Sequence, residues 1–374
     1  MTLPLVVCDE KLTITNELAR LPLELRLMPG RSINRSSLEG ASALLTRTIT
    51  QIDASLLTDT NVQFVGSASA GTDHVDTDFL ARQGIDFTNA AGSNASAVCD
   101  YVIAAMVETG RIARVLAGAS VGIVGHGHVG RQLAERLSGM GATIRIYDPL
   151  VADIPETLGV DAIKDVLDCD IVSLHAALHD SQAFSSRSMI GPAEASLCRP
   201  GALFINAGRG ELLADGALST LFANGVDVVL DTWPGEPNIS LDTLGRVGVA
   251  TPHIAGYSKR SKAKATNLLL PPMCTALGIN SAEGEQIFSE PHHVIEAREQ
   301  DSVSELISHA IDHIGGLSAE DSRMRRCLSD GVSEDAFDKL RHDYPLRDEL
   351  LDVCVVGVDG DDALTLQSAG CQIG

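Results

Sequence analysis

Val121-Gly-Ile-Val-Gly-His-Gly-His-Val-Gly130 decides the reading of this chain. A short apolar run reads as a buried strand. It leads into G-x-G-x-x-G at Gly125, Gly127 and Gly130, then into a helix from Arg131 to Ser138. A second strand, Thr143 to Tyr147, ends at Asp148. The glycine pattern alone is weak. In a strand–turn–helix context, with an acidic residue about 20 positions on, it marks a dinucleotide site. The glycines let the backbone approach a pyrophosphate lying on the helix N-terminus. Asp148 would accept hydrogen bonds from the adenosine ribose and repel a 2′-phosphate, which favours NAD over NADP.

Three charged residues follow further apolar runs. Arg209 lies in Asn206-Ala-Gly-Arg-Gly210, after Ala202 to Ile205. Glu236 lies in Leu230-Asp-Thr-Trp-Pro-Gly-Glu-Pro237, after Val226 to Leu230. His253 lies in Thr251-Pro-His-Ile-Ala-Gly-Tyr257, after Val247 to Ala250. Each run reads as a buried parallel strand, and open parallel sheets bind ligands beyond the carboxyl ends of their strands. The three side chains are therefore expected in one crevice. A cation, a carboxylate and an imidazole facing a nicotinamide suit the oxidation of a 2-hydroxy acid. His253 would act as general base. Glu236 would hold the other ring nitrogen and stabilise the imidazolium. Arg209 would bind the substrate carboxylate through planar charge-assisted bonds.

The 374 residues, 44% of them hydrophobic, exceed one ordinary domain. Residues 1–95 alternate candidate strands (Leu5 to Val7, Ala43 to Leu45, Phe64 to Val65, Ile85 to Phe87) with helical pieces (Leu38 to Ala41, Asp76 to Arg82). Residues 96–257 form the dinucleotide unit, entered through a helix at Ala97 to Thr109. A helical stretch after Tyr257 should break at Pro271-Pro272, where two amides are missing. Residues 280–374 read as a third unit. Val303, Leu306, Ile307, Ala310, Ile311 and Ile314 have helical spacing there, Val353 to Val358 reads as a strand, and Ala363 to Ser368 as a short helix. No double βαβ pattern is evident in it.

A net charge of −22 argues against nucleic acid as a partner. No apolar run reaches a membrane span, and the N-terminus has no basic leader region. The eight cysteines are scattered, as in a reduced cytoplasmic protein. His126 and His128 sit in the glycine-rich turn, where cofactor contact outweighs a metal. Glu305, His309 and His313 share a helix face that reads as solvated. No metal is expected. Asp73-His74 reads as loop structure.

Together, Gly-His-Gly-His-Val-Gly, Asn-Ala-Gly-Arg-Gly, the Glu-Pro motif and Pro-His resemble the D-isomer-specific 2-hydroxyacid dehydrogenases. Finer segments are similar to one branch of that family: Phe64-Val-Gly-Ser-Ala-Ser-Ala-Gly-Thr-Asp-His-Val-Asp76, the Ser93-Asn94-Ala95 helix entry, His253-Ile-Ala-Gly-Tyr257, and Phe337-Asp-Lys-Leu-Arg341 followed by Tyr344 and Arg347. The resemblance implies an α/β protein with three parts. A Rossmann-type NAD domain spans 96–257. A flavodoxin-like substrate domain spans 1–95 and is completed by a return helix at 258–279. A small α+β C-terminal domain at 280–374 dimerises. The implied reaction is NAD-dependent oxidation of 4-phospho-D-erythronate to 2-oxo-3-hydroxy-4-phosphobutanoate, on the route to pyridoxal phosphate. The implied partners are this small phosphorylated acid and a second copy of the chain.

Carried over residue by residue, Gly125, Gly127, His128, Val129, Gly130, Asp148, Ala176, Asp231 and Gly256 fall at cofactor positions. Thr48, Ser69 and Tyr257 fall at substrate positions. The loop Ala70-Gly71-Thr72 would offer backbone amides to the substrate carboxylate, and Arg47 is the first candidate for its phosphate, with Arg341 and Arg347 as further cations. Two departures stand out: Ala176 where the family has Thr or Ser, so that only its backbone could serve NAD, and Thr48 where it has Ser. Two alternatives stay open. One is a phosphoglycerate- or glyoxylate-type dehydrogenase. The other is an NAD-sensing binding protein without turnover, which the intact Arg–Glu–His set disfavours.

Overall fold

The computed structural model describes residues 3–180, 183–280, 290–329, 331 and 333–374. They form two compact units. One comprises Met1–Asn94 and Ser258–Phe288, the other Ala95–Tyr257 and Ser289–Gly374.

The first unit is built on five parallel strands: β1 (Leu5–Asp9), β2 (Glu24–Met28), β3 (Ala41–Thr46), β4 (Phe64–Ser67) and β5 (Asp86–Asn89). Their order, β2-β1-β3-β4-β5, is flavodoxin-like. Parallel strands are buried on both faces, which is why β1, β3 and β4 read as continuous apolar runs. Val6, Cys8, Ala43 and Leu45 point into one core, Val7, Leu44 and Val65 into the other. The helix expected at Leu38 to Ala41 is not there. Arg35–Leu38 makes a single 3₁₀ turn capped by Asn34, Gly40 turns the chain at φ 75°, and Ala41 opens β3. Leu38 and Ala41 are both buried, so the apolar pattern was real but too short to define a period.

Pro271-Pro272 does not break the return helix. It runs unbroken from Lys259 to Leu277, capped by Ser258 and ended by Gly278 at φ 62°. An interior proline costs about 3 kcal/mol. Against that, Leu269, Leu270 and Met273 are buried in the first unit's core, each contributing about 1.5–3 kcal/mol. Leu268 and Pro271 face solvent, so water can reach the acceptors that the missing amides leave.

The second unit centres on six parallel strands: β6 (Ser120–Val124), β7 (Thr143–Tyr147), β8 (Ile171–Leu174), β9 (Leu203–Asn206), β10 (Asp227–Leu230) and β11 (Val249–Ala250). Their order is β11-β10-β9-β8-β6-β7. An isolated parallel bridge, Ile146↔Gly159, continues the sheet beyond β7. Counting it as a vestigial third strand gives the order 3-2-1-4-5-6-7, the Rossmann order with β11 as an added seventh strand. The chain reverses direction across the sheet between β6 and β8, and that switch point is where such sheets bind ligands.

Residues 290–374 add β12 (His293–Glu296), β13 (Val353–Val356) and β14 (Gln372–Ile373), all parallel and linked through helices. This segment, read from the sequence as a separate unit, shares a core with the dinucleotide sheet. Leu306, Ile307, Ile311, Leu350 and Val353 pack in one cluster with Tyr101, Ile103, Leu133 and Leu137. A buried ion pair reinforces it: Arg136 Nη2 meets Asp100 Oδ1 at 2.7 Å, and Asp100 Oδ2 accepts the Leu350 amide at 3.0 Å. Among the described residues no helix is long and apolar enough to cross a membrane.

Candidate active site

The loop after β6 shows why three glycines stand there. Gly125 sits at φ 99°, and a Cβ on it would lie 2.6 Å from the Ala176 nitrogen. A Cβ on Gly130 would overlap the Gly125 carbonyl oxygen, whereas Gly127 has nothing within 4 Å. Tight turn, open approach and close helix packing are the three glycine roles of a pyrophosphate loop. Gly127 also caps the helix His128–Gly139 without a side-chain hydrogen bond, which leaves its first-turn amides for an anion. Asp148 directly follows β7, with its carboxylate held by the His126 amide (2.8 Å) and the Leu150 amide (3.1 Å). These features fit NAD. His128 is exposed and Val129 half-buried at the same helix start. Ala176 brings only its backbone to the loop.

Beyond β9, the buried Asn206 shapes the turn that presents Arg209. Its amide donates to the Arg209 carbonyl (2.9 Å), and its Oδ1 accepts the Gly208 amide (3.1 Å). Next comes Gly210, where a Cβ would overlap the Trp233 carbonyl. The Arg209 turn therefore lies directly on the loop carrying Glu236. Glu236 Oε2 accepts the Trp233 amide at 3.0 Å, and the buried Trp233 indole donates to the Thr251 carbonyl at 2.8 Å. That bond ties the second loop to the third.

The third loop is clamped by Asp231. Its carboxylate accepts from the Thr251 hydroxyl (2.8 Å) and the amides of Ile254 (2.7 Å) and Ala255 (2.9 Å), while its carbonyl accepts the His253 amide (2.8 Å). The clamp holds His253 at φ 57°, a conformation uncommon outside glycine that persists only where surroundings over-determine it. His253 Nδ1 then meets Glu236 Oε1 at 2.5 Å. Asp231, a cofactor position by resemblance, has its carboxylate engaged by this loop. Burial pushes its pKa up against the charge of His253 and these donors.

Burial also opposes ionisation of Glu236. The charge and hydrogen bond of His253, the Trp233 amide and the charge of Arg341 outweigh it and hold the carboxyl below its ordinary range. Arg341 comes from the helix Glu334–His342, and its Nη2 reaches the Tyr257 hydroxyl at 3.4 Å. Arg347 braces the third loop from outside. It donates to the carbonyls of Ile254, Ala255, Tyr257 and Ala97 at 2.5–3.2 Å. Gly256 is half-buried in that braced turn.

In the first unit, Arg47 follows β3 and forks onto the buried Asp9 at 2.9 and 3.2 Å. Thr48 is exposed beside it. Ser69 and Gly71 follow β4, with Ser69 Oγ donating to the Gly71 carbonyl at 2.8 Å. His74 is buried and holds the start of that loop through Ser67, with Nε2 and Oγ 2.9 Å apart. Far along the chain, His292 and His293 share Asp348 Oδ2 at 3.2 and 3.1 Å.

Sequence reading missed the Asp231 clamp, the Trp233–Thr251 tie and the Arg347 brace. Only the acid two residues before the motif Trp hinted at the first. The other two depend on contacts between distant segments.

A Rossmann-type unit with a carboxylate-paired imidazole and an arginine at its strand ends defines an NAD-linked dehydrogenase of 2-hydroxy acids. The family "D-isomer specific 2-hydroxyacid dehydrogenase, NAD binding domain" matches residues 101–255. The chain is 35% identical to the erythronate-4-phosphate dehydrogenase of Stutzerimonas stutzeri, over 96% of each chain. It is 34% identical to that of Proteus mirabilis over 98% of each. Among solved structures, an NAD-bound 3-phosphoglycerate dehydrogenase of Entamoeba histolytica superposes with a TM-score of 0.64 at 21% identity, covering 76% of this chain and 99% of its own. A D-mandelate dehydrogenase of Rhodotorula graminis gives 0.61 at 19%, covering 72% and 93%. The chain belongs to the erythronate-4-phosphate dehydrogenases, within the D-isomer-specific 2-hydroxyacid dehydrogenases.

Proposed function

We propose that the protein oxidises 4-phospho-D-erythronate to 2-oxo-3-hydroxy-4-phosphobutanoate with NAD, a step in making pyridoxal phosphate. Bound NAD supplies the hydride acceptor. The observation that carries the reading is the His253–Glu236 pair. An ionised Glu236 at Nδ1 requires the proton on that nitrogen, so Nε2 presents its lone pair to the C2 hydroxyl. As the hydroxyl proton moves to Nε2, the imidazolium is stabilised by the carboxylate it already touches. Arg209 takes the substrate carboxylate, and by resemblance to the family Thr48, Ser69 and Gly71 are the first unit's substrate residues. The Gly125–Gly130 loop, His128, Val129, Asp148, Ala176 and Gly256 hold the cofactor.

The test is turnover with NAD, followed as NADH absorbance. 4-Phospho-D-erythronate should give kcat/KM at least about tenfold above 3-phosphoglycerate, glycerate and glyoxylate-series acids. A better rate with any of these overturns the substrate assignment, and tight NAD binding without turnover overturns the enzyme reading.

We also propose a homodimer formed through residues 290–374. Val294 on the edge strand β12 is 58% exposed and Leu364 on the helix Gly360–Ala369 is 61% exposed, apolar side chains that a second copy would cover. Full-length protein should sediment as a dimer, and Val294→Asp with Leu364→Glu should weaken it. A monomeric wild type at low micromolar concentration refutes the proposal.

A further inference from the structure

Three arginines could serve the far, phosphorylated end of the substrate, and their surroundings differ. Arg47 has its fork on Asp9. Arg347 is 7% exposed, and its two terminal nitrogens donate to four carbonyls and the Tyr344 hydroxyl. Arg341 is placed otherwise. Nη2 reaches the Tyr257 hydroxyl only at 3.4 Å, Nη1 lies 3.8 Å from Asp338 Oδ1, and the buried Nε has no partner among the described residues. Nor can Glu236 satisfy it fully, since Oε1 holds His253 and Oε2 holds the Trp233 amide. Even so, Arg341 stays charged. Burial pulls its pKa down, but Tyr257, Glu236 and Asp338 outweigh that and raise it. A guanidinium carries five donors, and leaving them without acceptors away from bulk water is costly.

We propose that Arg341 binds the substrate's distal phosphomonoester, with the Tyr257 hydroxyl beside it, and so sets specificity for a phosphorylated acid. The proposal rests on the substrate reading above. A guanidinium matches two phosphate oxygens at once. Its side chain keeps 23% of its surface exposed, so a ligand can reach it. The electrostatic need is plain in a chain of net charge −22: a dianion approaching Glu236 requires a local cation besides Arg209. The origin of Arg341 also fits. The solved dehydrogenases lack about a quarter of this chain, whereas the erythronate-4-phosphate relatives match nearly all of it. Residues 289–374, which carry Arg341, are of that length.

The experiment compares full-length wild type, Arg341→Gln, Arg341→Lys and Tyr257→Phe on 4-phospho-D-erythronate and on D-erythronate. It adds competitive inhibition by inorganic phosphate. In Arg341→Gln the ratio of kcat/KM for the phosphorylated over the unphosphorylated acid should fall about 30-fold or more, the effect of truncating one member of a buried charged pair. Lysine should restore part of that ratio, and the phosphate inhibition constant should rise with the same substitution. An effect exerted through Glu236 would lower both substrates equally and leave the ratio unchanged, which overturns the proposal, as does an unchanged phosphate inhibition constant. Should Arg341→Gln fail to fold, Arg341→Lys and Tyr257→Phe carry the same ratio test. Should the wild type prefer another 2-hydroxy acid, the substrate reading falls, and the dependence of phosphate inhibition on Arg341 still decides this proposal.

Discussion

Gly210→Ala tests whether the Arg209 and Glu236 loops must touch for the enzyme to work. A Cβ at this position would stand 2.8 Å from the Pro234 nitrogen and overlap the Trp233 carbonyl. Carbon–oxygen contacts normally run about 3.3–3.6 Å. The obstacle is backbone on both sides, so no rotamer relieves it, and the two loops must part by more than about 1 Å. Trp233 is also the residue whose amide holds Glu236 and whose indole holds Thr251. The displacement therefore reaches Arg209, Glu236 and His253 together. A misplacement of 1 Å in a catalytic group costs about 10²-fold in rate, and overpacking of this kind about 1–3 kcal/mol in stability. Turnover should fall by that factor while the NAD dissociation constant stays near wild type, because the Gly125–Gly130 loop is untouched. The chain has one tryptophan, and it is Trp233, so its emission reports the same contact. Activity within threefold of wild type, with unchanged tryptophan emission, would refute the reasoning.

Four further outcomes follow from the same geometry. Gly130→Ala should weaken NAD binding about tenfold or more in a direct titration, since its Cβ meets the Gly125 carbonyl. His253→Ala and Arg209→Ala should each lower kcat by about 10²–10⁴-fold with NAD binding intact, measured by steady-state kinetics and titration. Glu236→Gln should cost about 10²-fold or more in kcat, because an amide turned toward Nδ1 favours the wrong tautomer. It also removes a carboxyl whose folded pKa is lowered: wild type is stabilised relative to the variant above the unfolded carboxylate range, and the difference shrinks as pH falls through the lowered value, which urea melts at pH 7 and pH 4 would show. Arg347→Met should destabilise the protein by about 1–3 kcal/mol in urea, because it removes the guanidinium's hydrogen bonds to the carbonyls of Ala97, Ile254, Ala255 and Tyr257.

Most of the strands that sequence reading found are buried on both faces, although it also found the edge strand β5 and the half-exposed β7 and passed over β8, every residue of which is buried. β1, β3, β4, β6 and β9 have nearly every residue in the core, so each reads as an uninterrupted apolar run. The edge strand β2 was missed because its five residues are only half-buried or exposed, in no regular alternation. β12, four residues with one buried, and β14, two half-buried residues, are too short to show a pattern, and with them the parallel helical crossovers of residues 290–374 were missed. Pro271-Pro272 misled because local propensity was weighed without the core that overrides it. The side chains that bury Leu269 and Met273 come from strands more than 170 residues earlier in the chain.

The candidate reacting groups were legible for a different reason. Arg209, Glu236 and His253 each stand a few residues past a strand, so their placement follows from local sequence and one rule of parallel sheets. What aligns them does not. The Asp231 clamp spans 23 residues, the Arg347 brace 93, and the Arg341 contact with Tyr257 spans 84. No periodicity records contacts of that length. The two C-terminal arginines differ in role: Arg347 fixes the backbone that strains His253, and Arg341, whose buried Nε has no partner among the described residues, is the one proposed for the substrate's phosphate. It follows that cutting the chain near Pro271 cannot isolate dimerisation from catalysis. Such a cut removes the brace, the Leu306–Ile311 stripe and the Asp100–Leu350 bond along with any interface. Only surface substitutions such as those at Val294 and Leu364 can separate assembly from turnover, because neither side chain contributes to the core that holds His253 in place.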